Sequence, residues 1–184
     1  MRRARPRRVL ELGCGDGVNA VFLAGRGCTV TAVDLSPTAV RMAEQKARAV
    51  GASVRVLEAD LFELPDPPEP FDLVFDRGTF HHVPIFRSRE YVDLVARALV
   101  PGGHLHVICH HVSTRPTMLY ESVSGHVGKL LGFVTGQLVE TGTGYTADEI
   151  DEIFAERFVV ESAELVDDNG RPLRFVSSVL RRTR

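Results

Sequence analysis

The sequence of 184 residues lacks any long apolar run. Apolar stretches such as Phe71–Phe75 and Leu105–Cys109 are far shorter than the roughly 20 residues that a membrane-spanning helix needs. The arginine-rich first eight residues are not followed by the apolar segment of a secretory signal. We therefore expect neither a membrane partner nor a secretory leader.

The sequence also has few cysteines and no internal repeat. Its three cysteines, Cys14, Cys28 and Cys109, are an odd number without a pairing pattern, so we expect the reducing cytoplasm as its location. Hydrophobic residues make up 44% and charged residues 25% of the chain, which excludes a disordered protein. The length fits one domain, and we expect residues 1–184 to form it.

The sequence has little excess charge, with a formal net charge of −2, but its two ends are basic. Eight of the 22 basic residues are terminal arginines: Arg2, Arg3, Arg5, Arg7, Arg8, Arg181, Arg182 and Arg184. The remaining 14 basic residues face 24 acidic ones, so the body of the domain lacks the basic stripe of a nucleic-acid-binding protein. We interpret the terminal arginines as solvated charge and expect no nucleic-acid partner.

Short apolar segments alternate with helical patterns through the first 110 residues. The predicted strands are Arg8–Leu12, Cys28–Val33, Val54–Leu57, Phe71–Phe75 and Gly103–Cys109, and the predicted helices are Val18–Ala24, a segment from Ser36-Pro37 to Gly51, and Arg89–Leu99. This alternation is typical of a parallel sheet that is covered by helices on both faces.

The last forty residues break the alternation. A helix near Ala147–Glu156 begins with a capping box, Thr-x-x-Glu, at Thr146. Two strands follow, at about Phe158–Val166 and Leu173–Leu180, and Asn169-Gly170 between them is a strong hairpin signal. The sequence therefore predicts a parallel sheet that is closed by an antiparallel hairpin.

A glycine-rich turn, with Gly13, Gly15 and Gly17, connects the first strand to the first helix. Glycines there let the backbone come close to a ligand. Asp34 ends the second strand, where a carboxylate can accept hydrogen bonds from ribose hydroxyls. Together, the glycine turn and this acid indicate a cofactor that contains adenosine.

The glycine spacing differs from that of dinucleotide-binding proteins. The third glycine of the G-x-G-x-x-G fingerprint would fall at position 18, which is Val18. Glu11 lies two residues before the turn, where its carboxylate would repel a pyrophosphate and would suit a cationic ligand such as an ammonium or a sulfonium. A nicotinamide-dependent reductase therefore stays an alternative only.

Five motifs, in order, resemble those of class I S-adenosylmethionine-dependent methyltransferases: Val9–Gly17 (VLELGCGDG), Val33–Pro37 (VDLSP), Glu58–Leu61 (EADL), Phe71–Asp76 (FDLVFD) and Leu99–Gly103 (LVPGG). The resemblance covers about residues 8–110. It implies an α/β fold with a Rossmann-like, doubly wound, mostly parallel sheet of order 3-2-1-4-5-7-6, in which the seventh strand is antiparallel.

The resemblance also implies a binding site for S-adenosylmethionine, with S-adenosylhomocysteine as the product. Glu11 and the three glycines would hold the methionine part, Asp34 the ribose, and Asp60 with Leu61 the adenine. The implied cofactor residues are Glu11, Gly13, Gly15, Gly17, Asp34, Leu35, Asp60 and Leu61.

A narrower resemblance lies in Phe71–His82, which is similar to the DRG-x-[FL]-H version of motif IV in bacterial relatives of thiopurine, thiol and tellurite methyltransferases. In that branch a helical segment precedes the first strand and covers the cofactor. Only about seven residues precede the first strand here. This difference affects what we expect of the acceptor pocket, but not of the cofactor pocket.

Polar residues follow the fourth and fifth strands, where acceptors bind in this sheet order. The candidate catalytic residues are Asp76, His81, His82 and His110, and we expect the histidines, which lie far apart in sequence, to meet in space. The histidines could act as a base or positioning group, or be ordinary polar residues at the rim. A third interpretation is a metal site that combines His104-x-His106 with His110 or Asp76, but we expect no metal, because the spacing does not form a tetrahedral set.

The least regular stretch, 111–144, has an apolar run that is interrupted by glycines. Its position after the fifth strand suits a lid over the acceptor site or a structural insertion packed on the sheet.

These features predict a methyltransferase that acts on a small-molecule acceptor through a sulfur, oxygen or nitrogen nucleophile. The alternative is a non-catalytic S-adenosylmethionine-binding module or partner subunit. We expect a monomer or a homodimer.

Overall fold

The computed structural model describes residues 6–111, 144–167 and 174–183. Its strands are β1 (Arg8–Leu12), β2 (Thr29–Asp34), β3 (Val54–Glu58), β4 (Phe71–Arg77), β5 (Leu99–His110), β6 (Phe158–Asp167) and β7 (Arg174–Arg182). Its helices are α1 (Val18–Ala24), α2 (Pro37–Ala49), α3 (Ser88–Ala98) and α4 (Ala147–Phe154), with short 3-10 turns at Leu61–Glu63, Phe80–His82 and Ile85–Arg87. No helix in these ranges is long and apolar enough to span a membrane.

The described strands form one sheet of order β3-β2-β1-β4-β5-β7-β6. The pairs among β1 to β5 are parallel, whereas β7 runs antiparallel to both β5 and β6. This topology confirms the predicted α/β fold, including the reversed seventh strand. The strand order changes direction between β1 and β4, and ligands of such sheets bind in the crevice at the carboxyl ends of the strands at that point.

Helices pack on both faces of the sheet. On one face, Phe80 contacts Tyr91 of α3 and Phe154 of α4, with ring centroids 4.8 Å and 5.2 Å apart. On the other face, a smaller apolar cluster, which includes Val9 of β1 and Ala20 of α1, joins the sheet to α1 and α2. The sheet is therefore doubly wound, and its central strands are buried on both sides.

The start of the fifth strand corrects the predicted strand Gly103–Cys109. β5 begins at Leu99, and the Pro-Gly-Gly sequence at 101–103 lies inside the strand rather than between helix and strand. Leu99 is fully buried and pairs with Phe71 before the register of the two strands shifts. The proline disfavours helical backbone in the residue before it, and α3 ends at Ala98.

The other described boundaries agree with the prediction to within two residues. At the C-terminal end, the pairing of β6 with β7 runs from Phe158 with Arg182 to Asp167 with Arg174, which confirms the predicted antiparallel hairpin. The predicted Asn169-Gly170 turn lies outside the described residues.

The predicted capping box at the start of α4 is present. The Thr146 hydroxyl accepts a hydrogen bond from the backbone N–H of Glu149 (3.2 Å), and the Glu149 carboxylate accepts one from the backbone N–H of Thr146 (2.9 Å). α4 buries Ile150 and Phe154 in the larger apolar core, which is the one that contains Phe80 and Tyr91. The cap therefore stabilises a helix that contributes to this core.

Removing this cap should destabilise the protein. We expect Thr146→Ala to lower the free energy of unfolding by about 1 kcal/mol, because one N-terminal N–H of α4 loses its acceptor. Thr146→Ser keeps the hydroxyl and should stay close to wild type. Chemical denaturation checks both variants, and equal stability of the alanine and serine variants would contradict the prediction.

Candidate functional site

Three glycines with left-handed backbone form the turn between β1 and α1. The φ angles are 64° at Gly13, 53° at Gly15 and 79° at Gly17. A Cβ at Gly13 would lie 1.9 Å from Thr79 Oγ1, and one at Gly17 would lie 2.7 Å from Ala43 Cβ. A Cβ at Gly15 would have no atom within 4 Å. Two glycines therefore let the turn pack against its neighbours, while Gly15 leaves room for a ligand beside the backbone.

Asp34, at the end of β2, is tied to this turn. Its Oδ2 accepts a hydrogen bond from the Gly15 N–H (2.8 Å), and its Oδ1 accepts one from the Ser36 N–H (2.9 Å). The side chain is half-buried, and a carboxylate has acceptor capacity beyond these two bonds. Asp34 therefore lies beside the open side of the turn with oxygens that can accept further donors. The next residue, Leu35, is 69% exposed.

Glu11, two residues before the turn, is 1% exposed, and its Oε2 lacks a hydrogen-bond partner among the described residues. Burial raises the pKa of its carboxyl to about 7, against the opposing effects of the Asn19 side chain and the Ala20 backbone. A buried carboxylate with an unpaired oxygen is unfavourable unless a cation or a donor meets it. Glu11 therefore marks a place where a positively charged ligand would be stabilised.

The end of β3 joins the same edge of the sheet. The Ala59 N–H donates to the backbone oxygen of Asp34 (3.1 Å), which holds the segment after β3 against the end of β2. Asp60 then accepts a hydrogen bond from the Phe62 N–H (2.9 Å) and starts a 3-10 turn, while the half-buried Leu61 packs on the larger core. The structure thus brings the candidate cofactor residues of all three strands to one edge, although their binding role stays a prediction.

Asp76, near the end of β4, is fully buried and strongly hydrogen-bonded. Its Oδ1 accepts from the backbone N–H groups of Thr79 (2.8 Å) and Phe80 (3.2 Å), and its Oδ2 accepts from the Tyr91 hydroxyl (2.6 Å). Burial raises the pKa of this carboxyl to about 6, and these hydrogen bonds oppose the shift. The contacts favour a role for Asp76 in holding the turn after β4, and its catalytic role stays a prediction.

Two residues of this arrangement were not among the predicted site residues. The Thr79 hydroxyl donates to the backbone oxygen of Leu12 (2.9 Å), and Tyr91 reaches Asp76 from α3. Thr79 lies in the segment that resembles motif IV, but its partner is 67 residues earlier in the chain. Sequence pattern alone holds no signal for such a contact.

The predicted convergence of histidines after β4 and β5 is present. The His81 ring lies 4.3 Å from the His82 ring and 4.4 Å from the His110 ring, between centroids. On its other side, the His110 ring lies 4.8 Å from Phe175 of β7, a neighbour that the sequence did not identify. The three histidines form one cluster at the carboxyl ends of these strands, and their catalytic role stays a prediction.

The histidines of this cluster differ in their surroundings. His81 is buried, and burial, together with its histidine neighbours, lowers the pKa of its ring to about 4. Its Nδ1 accepts a hydrogen bond from the His110 backbone N–H (3.4 Å), so the neutral ring carries its proton on Nε2. His82 is exposed and His110 is half-buried. His81 is therefore uncharged at neutral pH and lies behind the two more accessible rings.

The metal interpretation of His104 and His106 finds no support in the described ranges. His104 Nε2 lies 3.3 Å from a carboxylate oxygen of Glu161, and His106 Nε2 lies 2.9 Å from the Ser177 hydroxyl. Within the described part of the chain, no group of three or more His, Cys, Asp or Glu residues could hold a metal ion. That the protein needs no metal stays a prediction.

The lid or insertion that we expected over 111–144 lies outside the described residues, apart from its two ends. The Tyr145 N–H donates to the His110 backbone oxygen (2.8 Å), and His111 Nδ1 lies 3.3 Å from the Tyr145 oxygen. The Tyr145 ring stacks on Phe80 at 4.9 Å. Both ends of this segment are thus fixed beside the histidine cluster, and the lid stays a prediction.

A family model described as a methyltransferase domain matches residues 9–103, a range that contains all eight candidate cofactor residues. The ubiquinone biosynthesis O-methyltransferase of Alkalilimnicola ehrlichii is 38% identical over 100 residues, which cover 54% of this chain and 40% of that protein. The match therefore spans less than half the length of this curated relative.

Solved structures share the fold over nearly the whole chain. One, from work on the conversion of a disulfide bond into a thioacetal group during echinomycin biosynthesis, has a TM-score of 0.70 and 30% identity, and the match covers 96% of this chain and 76% of that one. The 1,6-didemethyltoxoflavin-N1-methyltransferase of Burkholderia thailandensis, with S-adenosylhomocysteine bound, has a TM-score of 0.73 at 21% identity. This match covers 98% of this chain and 72% of that one. The second likeness establishes the fold alone.

The buried carboxyl of Glu11 makes stability depend on pH. Because the pKa of Glu11 is about 7 in the folded protein and near 4.5 when exposed, the folded state binds the extra proton between these values. The free energy of unfolding therefore falls as pH rises through this window. Glu11→Gln does not titrate, so we expect it to be more stable than wild type at pH 8, by up to about 3 kcal/mol, and to lose this advantage near pH 5.

Chemical denaturation of both proteins at the two pH values checks this prediction. Asp76 also has a raised pKa, but both proteins contain it, so the difference between them isolates Glu11. Glu44→Gln, at an exposed carboxylate of α2, is the matched control and should follow wild type. An identical pH dependence of wild type and Glu11→Gln would show that Glu11 titrates normally.

Proposed function

Because the chain belongs to the methyltransferase domain family, we propose that it transfers a methyl group from S-adenosylmethionine to a small-molecule acceptor. Methyltransferases of this class use S-adenosylmethionine and release S-adenosylhomocysteine. The observation that carries the proposal is the buried Glu11 carboxylate with its unpaired oxygen, next to a turn that leaves space at Gly15. Such a carboxylate suits a cation, and S-adenosylmethionine has both an ammonium and a sulfonium group.

The residues at this edge fit the parts of the cofactor. We assign Glu11 and the three glycines to the methionine part. We assign Asp34 to the ribose, because each of its oxygens already accepts one N–H and keeps capacity for a hydroxyl. Leu35, Asp60 and Leu61 are assigned to the adenine, since they follow β2 and β3 at the same edge.

The remaining task of the protein is to align the acceptor. S-adenosylmethionine, when bound, supplies a methyl group that its cationic sulfur already activates. The chain therefore has to hold the acceptor in line with that methyl group and exclude water around it. The histidine cluster supports an acceptor site at the carboxyl ends of β4 and β5. The strand order changes direction between β1 and β4, so this site lies on the other side of that point from β2 and β3.

We propose sulfur as the acceptor atom. Two observations support this choice: the segment Phe71–His82 resembles motif IV of thiol methyltransferases, and the structure related by 30% identity comes from work on a disulfide-to-thioacetal conversion. The Alkalilimnicola relative is an O-methyltransferase and the Burkholderia neighbour an N-methyltransferase, so phenols and amines are the competing acceptors.

A thiol acceptor has to lose a proton, and we propose that the His110 ring takes it. His110 is half-buried, and its ring is held between those of His81 and Phe175. His81 acts as a positioning residue, because its Nδ1 is engaged by the backbone of His110. His82 contributes to the exposed rim, and Asp76 holds the turn that carries both of these histidines.

Loss of the Asp34 carboxylate should weaken cofactor binding. We expect Asp34→Ala to reduce the affinity for S-adenosylhomocysteine by about 1.5–3 kcal/mol, because hydrogen bonds to a charged group are lost. Glu44→Ala, at an exposed acid of α2, is the control and should bind like wild type. Calorimetry measures both variants. Unchanged affinity in Asp34→Ala would remove the ribose assignment, and tighter binding of NADH than of S-adenosylhomocysteine would remove the proposed cofactor.

The role of His110 is testable by turnover. We expect His110→Gln to lower kcat on the order of 100-fold with S-adenosylhomocysteine affinity unchanged, because a positioned base is lost while the cofactor contacts remain. His104→Gln, on the same strand but paired with Glu161, should keep wild-type turnover. Methyl transfer from labelled S-adenosylmethionine to thiols, phenols and amines provides the rates. Turnover that is equal in the two variants would contradict the role, and absence of turnover with every acceptor would favour a non-catalytic binding module.

A further inference from the structure

A cavity lies away from the glycine turn, on the sheet face against which α3 packs. Its volume is about 180 Å³. Side chains of β1, β2 and β3 that point to the α3 face form its floor. Residues of α3 form one wall, and the chain between Leu64 and Pro68 forms the roof. The register places Leu10, Thr31 and Arg55 in one row across these three strands.

The cavity lies where, among the described residues, no helix connects β3 to β4. The chain between β3 and β4 contains a single 3-10 turn, Leu61–Glu63, followed by prolines at 65, 67, 68 and 70. Proline fixes its own backbone and lacks an N–H, so this sequence does not continue as a helix. The roof is therefore an irregular segment rather than a helix, and a cavity remains between it and the sheet.

The cavity combines an apolar lining with surplus positive charge. Three arginines line it, and two of them have acidic partners: Arg97 pairs with Asp66 (2.9 Å) and Arg8 with Glu69 (2.5 Å). Arg55 has no ion pair or hydrogen bond within the described ranges. In addition, the Nε atom of Arg8 is buried without a hydrogen-bond partner in the described part of the chain. One cation and one buried donor at this cavity thus lack a partner among the described residues.

This cavity is separate from the cofactor site. Arg8 and Phe71, which line it, are the first residues of β1 and β4, whereas the glycine turn and Asp76 lie at the other ends of these strands. A five-residue strand such as β1 spans about 13 Å, so the end of the cavity at Arg8 and Phe71 lies at the opposite edge of the sheet from the glycine turn. The cavity also extends to Val33 and Leu57, but it shares no lining residue with the candidate cofactor site.

We propose that this cavity binds a small carboxylate with an aromatic or branched aliphatic body. The body packs on Leu10, Leu57 and Leu94, and the carboxylate pairs with Arg55, which its charge complements. The size is suitable, because an apolar cavity of about 150 Å³ is enough to bind benzene. This inference stands without the proposed methyl transfer, since none of the residues that it uses belongs to the cofactor or acceptor site.

Titration of the full chain with 2-naphthoate, followed by methyl NMR, tests the proposal. We expect saturable shifts at Leu57, Leu64 and Leu94 that persist when S-adenosylhomocysteine is present. Arg55→Gln should weaken naphthoate binding about five-fold, which is the size expected for an exposed ion pair. The same substitution should leave the affinity for the neutral 2-naphthamide unchanged. Arg41→Gln, at an exposed arginine of α2, is the matched control and should bind both compounds like wild type.

Three results would overturn the proposal. The first is the absence of saturable shifts at these leucines at millimolar naphthoate. The second is equal naphthoate affinity in Arg55→Gln and Arg41→Gln. The third is shifts confined to the methyl groups of Val18 and Leu35, beside the glycine turn, that are lost when S-adenosylhomocysteine is added, which would mean that naphthoate binds only the cofactor site.

Discussion

The hydrogen bonds of Thr79 and Asp76 connect the two halves of the candidate site. The Thr79 hydroxyl donates a hydrogen bond (2.9 Å) to the backbone oxygen of Leu12, directly before the glycine turn. The backbone N–H of Thr79 donates one (2.8 Å) to the Asp76 carboxylate. Tyr91 locks the other oxygen of Asp76 from α3. The turn that would hold the cofactor and the segment that carries the histidines are therefore one rigid unit, which suits a reaction that depends on alignment.

The Glu11 carboxylate, in the same part of the site, costs the folded protein stability but suits the binding of a cation. It is buried beside the turn, and this burial raises its pKa to about 7. A neutral side chain would suit the folded protein better, so the carboxylate is explained by a ligand rather than by the fold. The open space at Gly15 and the free acceptor capacity of Asp34 point to the same side of the turn. Together they support a cationic ligand that contains a ribose.

Local sequence signals predicted most of the fold and the identity of the turn. The bounds of β1 and α1 match the prediction, because glycines and apolar periodicity define them locally. The start of β5 did not follow from the sequence, since its first residue is set by pairing with Phe71. The burial of Asp76 depends in the same way on Tyr91, fifteen residues away on α3. Interactions between distant segments thus decide which polar residues are structural and which remain accessible.

If Glu11 meets the positive charge of the cofactor, binding must change the proton balance of its carboxyl, and that change is the most direct test. At pH 7 about half of the Glu11 carboxyls carry a proton, because the pKa is about 7. Calorimetric titration with S-adenosylmethionine in buffers of different ionisation enthalpy should therefore show release of about half a proton from wild type and none from Glu11→Gln. Equal proton release from both proteins, or no saturable binding to wild type, would contradict the account.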